Sequence, residues 1–513
     1  MTRSQICVPR IFAWRASFCT VDGMDFDVVI AGGGPNGLML TAELRLAGAR
    51  PLVLERLPER ATVPKANGLA GVVARLMDAR GLYEKVSGRS GPPAPTPFYM
   101  FGGLRLDLRD VPDNPMHTVL VPQTRLEPIL EEHALGLGAE IRRGVTLTGF
   151  VDHGTHVTVS TDDGSEITAA YLVGCDGGRS TVRKLAGIDF PGVTDDDVVT
   201  RTANVVLPTA GPGGLPVPGH GDIQPFFFHR TTTGVFVWAR LEDALTVTTM
   251  EWGDAPGEDV PLTLDELADS VKRVLGVDVP MELAVLDRPL VMRRNAGNNT
   301  RIASQFRRGR VFLAGDAAHV HAGIGGPGLN MGLQDAANLA WKLGAAVQGW
   351  APAGLLDTYH SERHPVASRV AMQTQSQSAL LAPGTKVTAL RTLFEELLES
   401  VDVRQHIVDT MSGNDTRYFE SDHPLVGRLA PEMSVTTTDG VVRLAELRRT
   451  GRPLLLDPSG LGAVADGWRD RVDVVSGDGP ALLIRPDGFV AWAGDSADGL
   501  VDALTRWFGA PTA

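Results

Sequence analysis

The stretch DVVIAGGGPNGLMLTAELRLAGARPLVLER, Asp27 to Arg56, decides the fold. Its β-branched apolar run Val28-Val29-Ile30 reads as a buried strand, and Gly32, Gly34 and Gly37 follow in G-x-G-x-x-G spacing. Glycines so placed permit a tight turn, let backbone N–H groups approach a pyrophosphate, and let the next helix pack closely on the strand. The helix then turns its positive dipole end towards the diphosphate. A second strand, Pro51 to Leu54, leads to Glu55, where a carboxylate can accept from both ribose hydroxyls of an adenosine. A lone glycine motif carries little weight. Strand, helix, second strand and acid in register predict an α/β dinucleotide-binding unit of Rossmann type, where an unrelated glycine-rich turn would need none of the other parts.

A distant stretch, GRVFLAGDAAHVHAGIGGPGLNMGLQDAANLAWKL from Gly309 to Leu343, repeats the build of apolar run, glycines and helix. Asp316 follows the strand Val311 to Leu313 and can accept from a ribityl or ribose hydroxyl. Gly328, Leu329 and Asn330 sit at a helix start, where backbone N–H groups suit a polar ring edge that gains negative charge on reduction. A merely capped helix would leave the glycine density unexplained. Between the two stretches, Asp176-Gly177-Gly178-Arg179-Ser180-Thr181-Val182-Arg183 follows a strand over Tyr171 to Cys175. It reads either as a second phosphate-facing turn, with Arg179 and Arg183 offered to anions, or as a strand–turn–helix with an aspartate N-cap.

The chain has 513 residues, too many for one ordinary core, so two or three domains are expected. With 43% hydrophobic and 21% charged residues it has the profile of a soluble globular protein. A net charge of −13 without a basic stripe disfavours nucleic acid or an anionic membrane as partner, and no apolar run is long enough to span a bilayer. Cys7, Cys19 and Cys175 have no zinc or disulfide-framework spacing, which fits a reducing cytoplasm. Residues 1–23 carry Arg3, Arg10 and Arg15 but no phased pattern, and are expected to be a poorly ordered extension ahead of Met24.

The organisation expected from composition is a nucleotide domain over 24–199 and 297–412, the latter part with helices, interrupted by a β-rich, aromatic substrate domain over 200–296. A separate module follows over 413–513, with strands near Leu454 to Leu456 and Leu482 to Ile484. In the inserted domain Phe226, Phe227, Phe228, Trp238 and Trp252 can wall a planar aromatic ligand, or serve as core on a half-buried sheet. His319 and His321 lack a third ligand at metal spacing, so no metal site is expected, and His319 is assigned to satisfying backbone groups of its loop.

Taken together, GGGPNG with Glu55, DGGRSTVR, and GDAAH with GGPGLNMGLQDAANLAWKL resemble the FAD-dependent aromatic hydroxylases, the single-component flavoprotein monooxygenases. Gln123-Thr124-Arg125-Leu126-Glu127 is similar to that family's Gln-x-x-Leu-Glu element. Gly427 to Pro431 and Arg485 to Trp492 resemble the thioredoxin-like C-terminal domain of the phenol hydroxylase and polyketide hydroxylase branch, without a Cys-x-x-Cys pair. Departures are Pro64-Lys65-Ala66 for Pro-Arg-Ala, Val72 for an arginine, Ala322-Gly323 for prolines, and Gly325-Gly326-Pro327-Gly328 for Gly-Gly-Gln-Gly.

The resemblance implies an α/β fold with an inserted β-sheet substrate domain and a thioredoxin-like tail. It implies FAD held by Gly32, Gly34, Gly37, Glu55, Arg56, Asp176 and Asp316, with Gln123 near the flavin. Gly328, Leu329 and Asn330 would stabilise reduced flavin. NADPH or NADH would reduce the flavin, and a C4a-hydroperoxide would pass one oxygen of O₂ to a small polycyclic, polyketide-type aromatic. No residue stands out as a committed acid or base. Phe226, Phe228 and Trp238 are the substrate candidates. Rival readings are Baeyer–Villiger insertion, inactivation of an aromatic antibiotic, a flavoprotein reductase, and a non-catalytic nucleotide-binding protein. Monomer and homodimer are both compatible with the sequence.

Overall fold

The structure is a computed structural model that describes residues 23–241, 244–255, 257, 260–438 and 440–512. The arginine-bearing extension before Gly23, with Cys7 and Cys19, lies outside the described residues.

The opening stretch folds as its pattern demands. Phe26–Ala31 is the central strand of a sheet, parallel to Pro51–Glu55 on one side and to Glu166–Gly174 on the other. Val311–Leu313 and Glu140–Arg143 extend it in parallel, and the hairpin Leu147–Asp152 with Val157–Thr161 attaches to Glu166–Gly174. Val28, Val29 and Ile30 have no exposed surface, because helices must cover a parallel sheet. The helix Pro35–Leu46 begins with proline, whose missing N–H costs nothing in a first turn, and ends before Gly48 at φ +78°. It packs on the helices Gln123–Gly136 and Pro327–Val347.

Strand register fixes where a ligand can sit. Ala31 pairs with Leu54 and Gly174, and Gly174 with Leu313, so four carboxyl ends share one row. The turns that leave this row carry Gly32, Glu55, Asp176 and Asp316, at the edge where open α/β sheets bind ligands.

A second, antiparallel sheet runs His229–Arg230, Gly234–Leu241, Ala244–Trp252, Gly192–Val206, Met292–Ile302 and His319–Val320. Its two long strands pass the borders expected at 200 and 296. They start at Gly192 and end at Ile302, and pair with each other along most of that length. Its edge strand comes from the loop after Asp316, with His319 opposite Ile302. One loop therefore closes the first sheet and borders the second. The amphipathic helix Leu264–Leu275, capped by the Thr263 side chain, covers the back of this sheet with Leu267, Val271 and Val274.

In the C-terminal module Leu454–Asp457 lies parallel to Asp473–Ser476 and antiparallel to Leu482–Ile484, which pairs with Val490–Ala493 before the helix Leu500–Phe508. The module is not loosely tethered. Trp341 and Ala345 of the nucleotide domain share a core with Trp468, Trp507 and Phe508. Beside it, Arg485 bonds Glu362 and Asp487, and Lys342 bonds Glu362, with all four side chains buried. Among the described residues no helix is long and apolar enough to cross a membrane.

Candidate active site

The three glycines of the first turn are required for different reasons. Gly32 has φ +108°, and a Cβ there would lie 2.4 Å from the Cys175 carbonyl oxygen. At Gly37 a Cβ would lie 2.0 Å from the Gly32 oxygen, so the helix could not close on the strand. Gly34 has ordinary extended angles, and a Cβ there would meet no protein atom within 4 Å. It faces a cavity of about 1460 Å³, lined also by Glu55, Asp176, Asp316, Gly328 and Phe228. That exceeds the roughly 300–1,000 Å³ of a pocket for one drug-sized ligand. The volume leaves room for more than one such ligand.

Glu55 is partly committed. Its Oε2 accepts from Gly33 N–H at 2.7 Å and its Oε1 from Leu57 N–H at 2.8 Å, leaving one lone-pair direction on each oxygen for ribose hydroxyls. Arg56 lines the cavity beside it. Asp176 lines the cavity together with Arg179 and also bonds the helix that follows. Its carboxylate accepts from Ser180 O–H and from the N–H groups of Thr181 and Val182, at the start of the short helix Thr181–Leu185 whose N-cap is Ser180. Arg183 is not offered to an anion. It is buried, donates to Ala317 O and Gly178 O, and lies 3.7 Å over the Phe190 ring, bracing the turn against the Asp316 loop.

Asp316 differs from these carboxylates. It is exposed to the cavity, and desolvation by the cavity walls raises its pKa above the usual aspartate value. The described residues place no hydrogen-bond donor on it, while Gly328 leaves room 3.7 Å from its Oδ1. The first-turn amides after Gly326, at φ +62°, have no acceptor inside their own helix. A carboxylate without a partner, open amides and a glycine that only a ligand requires fit a dinucleotide with a reducible ring.

Other expected contacts are used by the protein. Asn330 accepts from Ala70 N–H and donates to Gly326 O, so its side chain ties a neighbouring strand to the helix start. Gln123, at the start of its helix, donates to Glu127 at 2.6 Å while lining the cavity. His319 does not satisfy backbone groups. Its Nε2 bonds Asp335 at 2.6 Å, and Asp335 also accepts from Arg363 and from Gly315 N–H. Burial pushes the Asp335 carboxyl up, yet Arg363 and His319 outweigh it and hold the pKa at about 2. His321, on the cavity wall, has both ring nitrogens buried without partners, and burial beside His319 lowers its pKa to about 3. It is a neutral ring at neutral pH. Burial keeps the Cys175 thiol protonated as well. Among the described residues no group of side chains could hold a metal ion.

The substrate wall needs one correction. Phe226, Phe227 and Phe228 line the cavity, Phe226 with φ +68° and its N–H donated to Trp238 O. Trp238 itself points to the opposite face. It is buried against Phe236, Val247 and Val271, and its indole N–H donates to Ile223 O at 2.9 Å. Strand alternation puts Val237 and Ala239 on the cavity in its place. Trp252 packs with the apolar cluster around Val235 and Met250.

The family defined as FAD binding domain matches residues 25–374, and the family defined as aromatic-ring hydroxylase, C-terminal, matches residues 423–511. The chain belongs to the FAD-dependent aromatic hydroxylases. The hydroxylase is 39% identical over 95% of its length to the whole of a 12-dehydrotetracycline 5-monooxygenase/anhydrotetracycline 6-monooxygenase from Streptomyces rimosus. It is 41% identical, again over 95% of its length, to the whole of a rifampicin monooxygenase from Streptomyces venezuelae. Its structure is similar to that of the anhydrotetracycline hydroxylase OxyS from Streptomyces rimosus, with a TM-score of 0.83, 38% identity, and 95% and 100% of the two chains covered.

The sequence alone did not point to Asn36, Asp335 or Arg363. Asn36 fits between Gly315 and Gly332, where a Cβ at either glycine would lie about 2 Å from its amide. Asp335 and Lys342 are the two charged residues of an otherwise uncharged helix, and that was the available signal.

Proposed function

We propose that this FAD-dependent monooxygenase uses NADPH or NADH and O₂ to hydroxylate a polycyclic aromatic of polyketide type. The observation that carries the reading is the single cavity that joins the Gly34 and Asp316 turns to the Phe226–Phe228 wall. Bound FAD supplies the redox and oxygen chemistry. The chain's own residues position and insulate it. Gly34 and the amides after Pro35 take the diphosphate, Glu55 and Arg56 the adenosine end, and Asp316 a ribityl hydroxyl. The amides of Gly328 and Leu329 face the polar edge of the ring, and His321 stays neutral beside them. The relatives named for anhydrotetracycline and rifampicin support a substrate of several fused or bridged rings.

The Gly-x-Gly-x-x-Gly spacing recurs only at Gly323 to Gly328, in the loop already assigned to the flavin and after no strand of the parallel sheet, so the nicotinamide nucleotide is taken to bind transiently without a Rossmann domain of its own. In this reading the tail is a thioredoxin-like module with a structural task, and the enzyme acts as a monomer or homodimer. The test is NADPH oxidation with O₂ uptake across a panel of polycyclic phenols, with product mass and NMR. A product one oxygen heavier that carries a new ring hydroxyl is expected. A lactone would establish Baeyer–Villiger insertion instead, and NADPH oxidation without O₂ uptake a reductase.

A further inference from the structure

The cavity face of the antiparallel sheet is graded from charged to apolar along its cross-strand rows. In one row Arg293 stands opposite Thr202, Thr202 opposite Thr248, and Thr248 opposite Val237. In the next, Asn295 stands opposite Thr200 and Thr200 opposite Met250. All of these residues line the cavity. The apolar end continues into Phe228, Ala322 and Ile324. At the polar end the Thr202 and Thr248 hydroxyls are 3.0 Å apart, and Arg293 opens into an adjoining cavity of about 680 Å³.

Arg293 stands apart from its neighbours. On the other face of the sheet Arg201 is paired with Glu251 and Glu266, and Arg294 with Glu266. In the adjoining cavity Arg60 and Arg143 share Glu131. Among the described residues no carboxylate or carbonyl pairs with Arg293, and its Nε is buried with no hydrogen-bond partner. Burial accordingly lowers its pKa, and no anion among the described residues offsets it. Arg293 is half-buried, and leaving such a charge unpaired is costly, so its persistence in a binding cavity marks a partner that arrives with the ligand. A planar guanidinium presents parallel N–H donors that suit an oxyanion.

We infer that Arg293 supplies the counter-charge for an ionised phenol or enol oxygen on one edge of the aromatic substrate. Thr202 and Thr248 bond further oxygens along that edge, and the apolar ring body lies over Met250, Val237 and Phe228. The inference rests on the substrate class proposed above and adds an acidic edge to it. It makes Arg293 a specificity-determining residue, because a ring system lacking the acidic oxygen would cover the half-buried guanidinium and leave it unpaired. A phosphate of the nicotinamide nucleotide is the other anion this enzyme would meet, and the test separates the two.

The test uses the FAD-loaded enzyme without nicotinamide nucleotide and two probes, alizarin and its monomethyl ether blocked at the acidic hydroxyl. The buffer is held well below the pH at which free alizarin ionises, and the visible band reports whether the bound dye is ionised. Wild type is expected to bind alizarin as the red-shifted anion, at least about tenfold more tightly than the ether, as a charge-assisted bond implies. Arg293→Gln should lose both the red shift and the preference, Arg293→Lys should keep much of the shift, and both should retain FAD and the wild-type affinity for NADPH. A wild type that binds alizarin only as the neutral dye would overturn the inference whether or not the variants fold. So would an Arg293→Gln enzyme that keeps the preference, or one that keeps it and loses NADPH. Failure of wild type to bind either dye would overturn the polycyclic-substrate reading itself, and the inference with it.

Discussion

A methyl group separates the duties of the glycines in the first turn. Gly34→Ala adds a Cβ that touches no protein atom, so the apoprotein should melt as wild type does while FAD affinity falls by about tenfold or more, ~1.4 kcal/mol. Gly37→Ala drives a Cβ onto the Gly32 carbonyl and should cost about 1–3 kcal/mol of stability whether or not FAD is present. Thermal melts of apo and FAD-loaded protein separate the two. Glu55→Gln replaces an acceptor of two N–H bonds by a group that carries N–H itself. It should weaken both the turn and FAD retention, the charged-acceptor bonds being worth about 1.5–3 kcal/mol. Unchanged FAD retention in that variant would remove Glu55 from the cofactor site. The sequence announced these positions because such turns are built locally, from residues within a few places of one another.

At the scale of elements, the helix Pro327–Val347 meets the Asp316 loop through a buried charge cluster. Asp335→Asn leaves Arg363 and His319 without their shared carboxylate and should cost about 3–5 kcal/mol, read by urea unfolding of the FAD-loaded enzyme. The acid response follows from the same group. The folded pKa of Asp335 is about 2 against an ordinary 3.8, so its contribution to stability is complete above about pH 4 and is lost as pH falls towards 2. Asp335→Asn should flatten that part of the stability–pH curve. Strand alternation gives a second prediction. Trp238→Ala should destabilise the fold by about 3–5 kcal/mol, whereas Phe228→Ala should leave the melt nearly unchanged and raise KM for the aromatic substrate. Equal loss of stability in both would mean that Phe228 is core as well. Period-two alternation was visible in the sequence, but which of its two faces meets the cavity was not, since both carry large apolar residues.

In the whole molecule the C-terminal module acts as a wall of the nucleotide domain. Removing residues 414–513 would expose Trp341 and Ala345 and strip Glu362 of Arg485 while leaving Lys342 buried against it. Every residue assigned here to FAD lies upstream, yet the truncated chain should aggregate or purify without flavin. A soluble, yellow fragment of residues 24–413 would show that the shared core is dispensable. The milder Arg485→Met variant tests the charge network alone. It should destabilise the enzyme without altering the Phe226–Phe228 wall, which unchanged KM for the aromatic substrate would report.

The sequence by itself determined the nucleotide unit, because G-x-G-x-x-G, the acid after the second strand and the GDAAH loop are short-range devices whose geometry lies in neighbouring residues. It also marked the β-rich insertion and the C-terminal module by changes in composition. The tertiary structure alone decided that the Asp176 and Asn330 side chains bond neighbouring backbone, that Trp238 turns away from the cavity, and that His319 answers to Asp335. It alone brought Arg293 into the cavity without a counter-ion among the described residues. Each of these depends on which groups from distant parts of the chain meet one hydrogen bond or one charge. Local spacing does not encode that pairing; packing of the two sheets around their shared loop does.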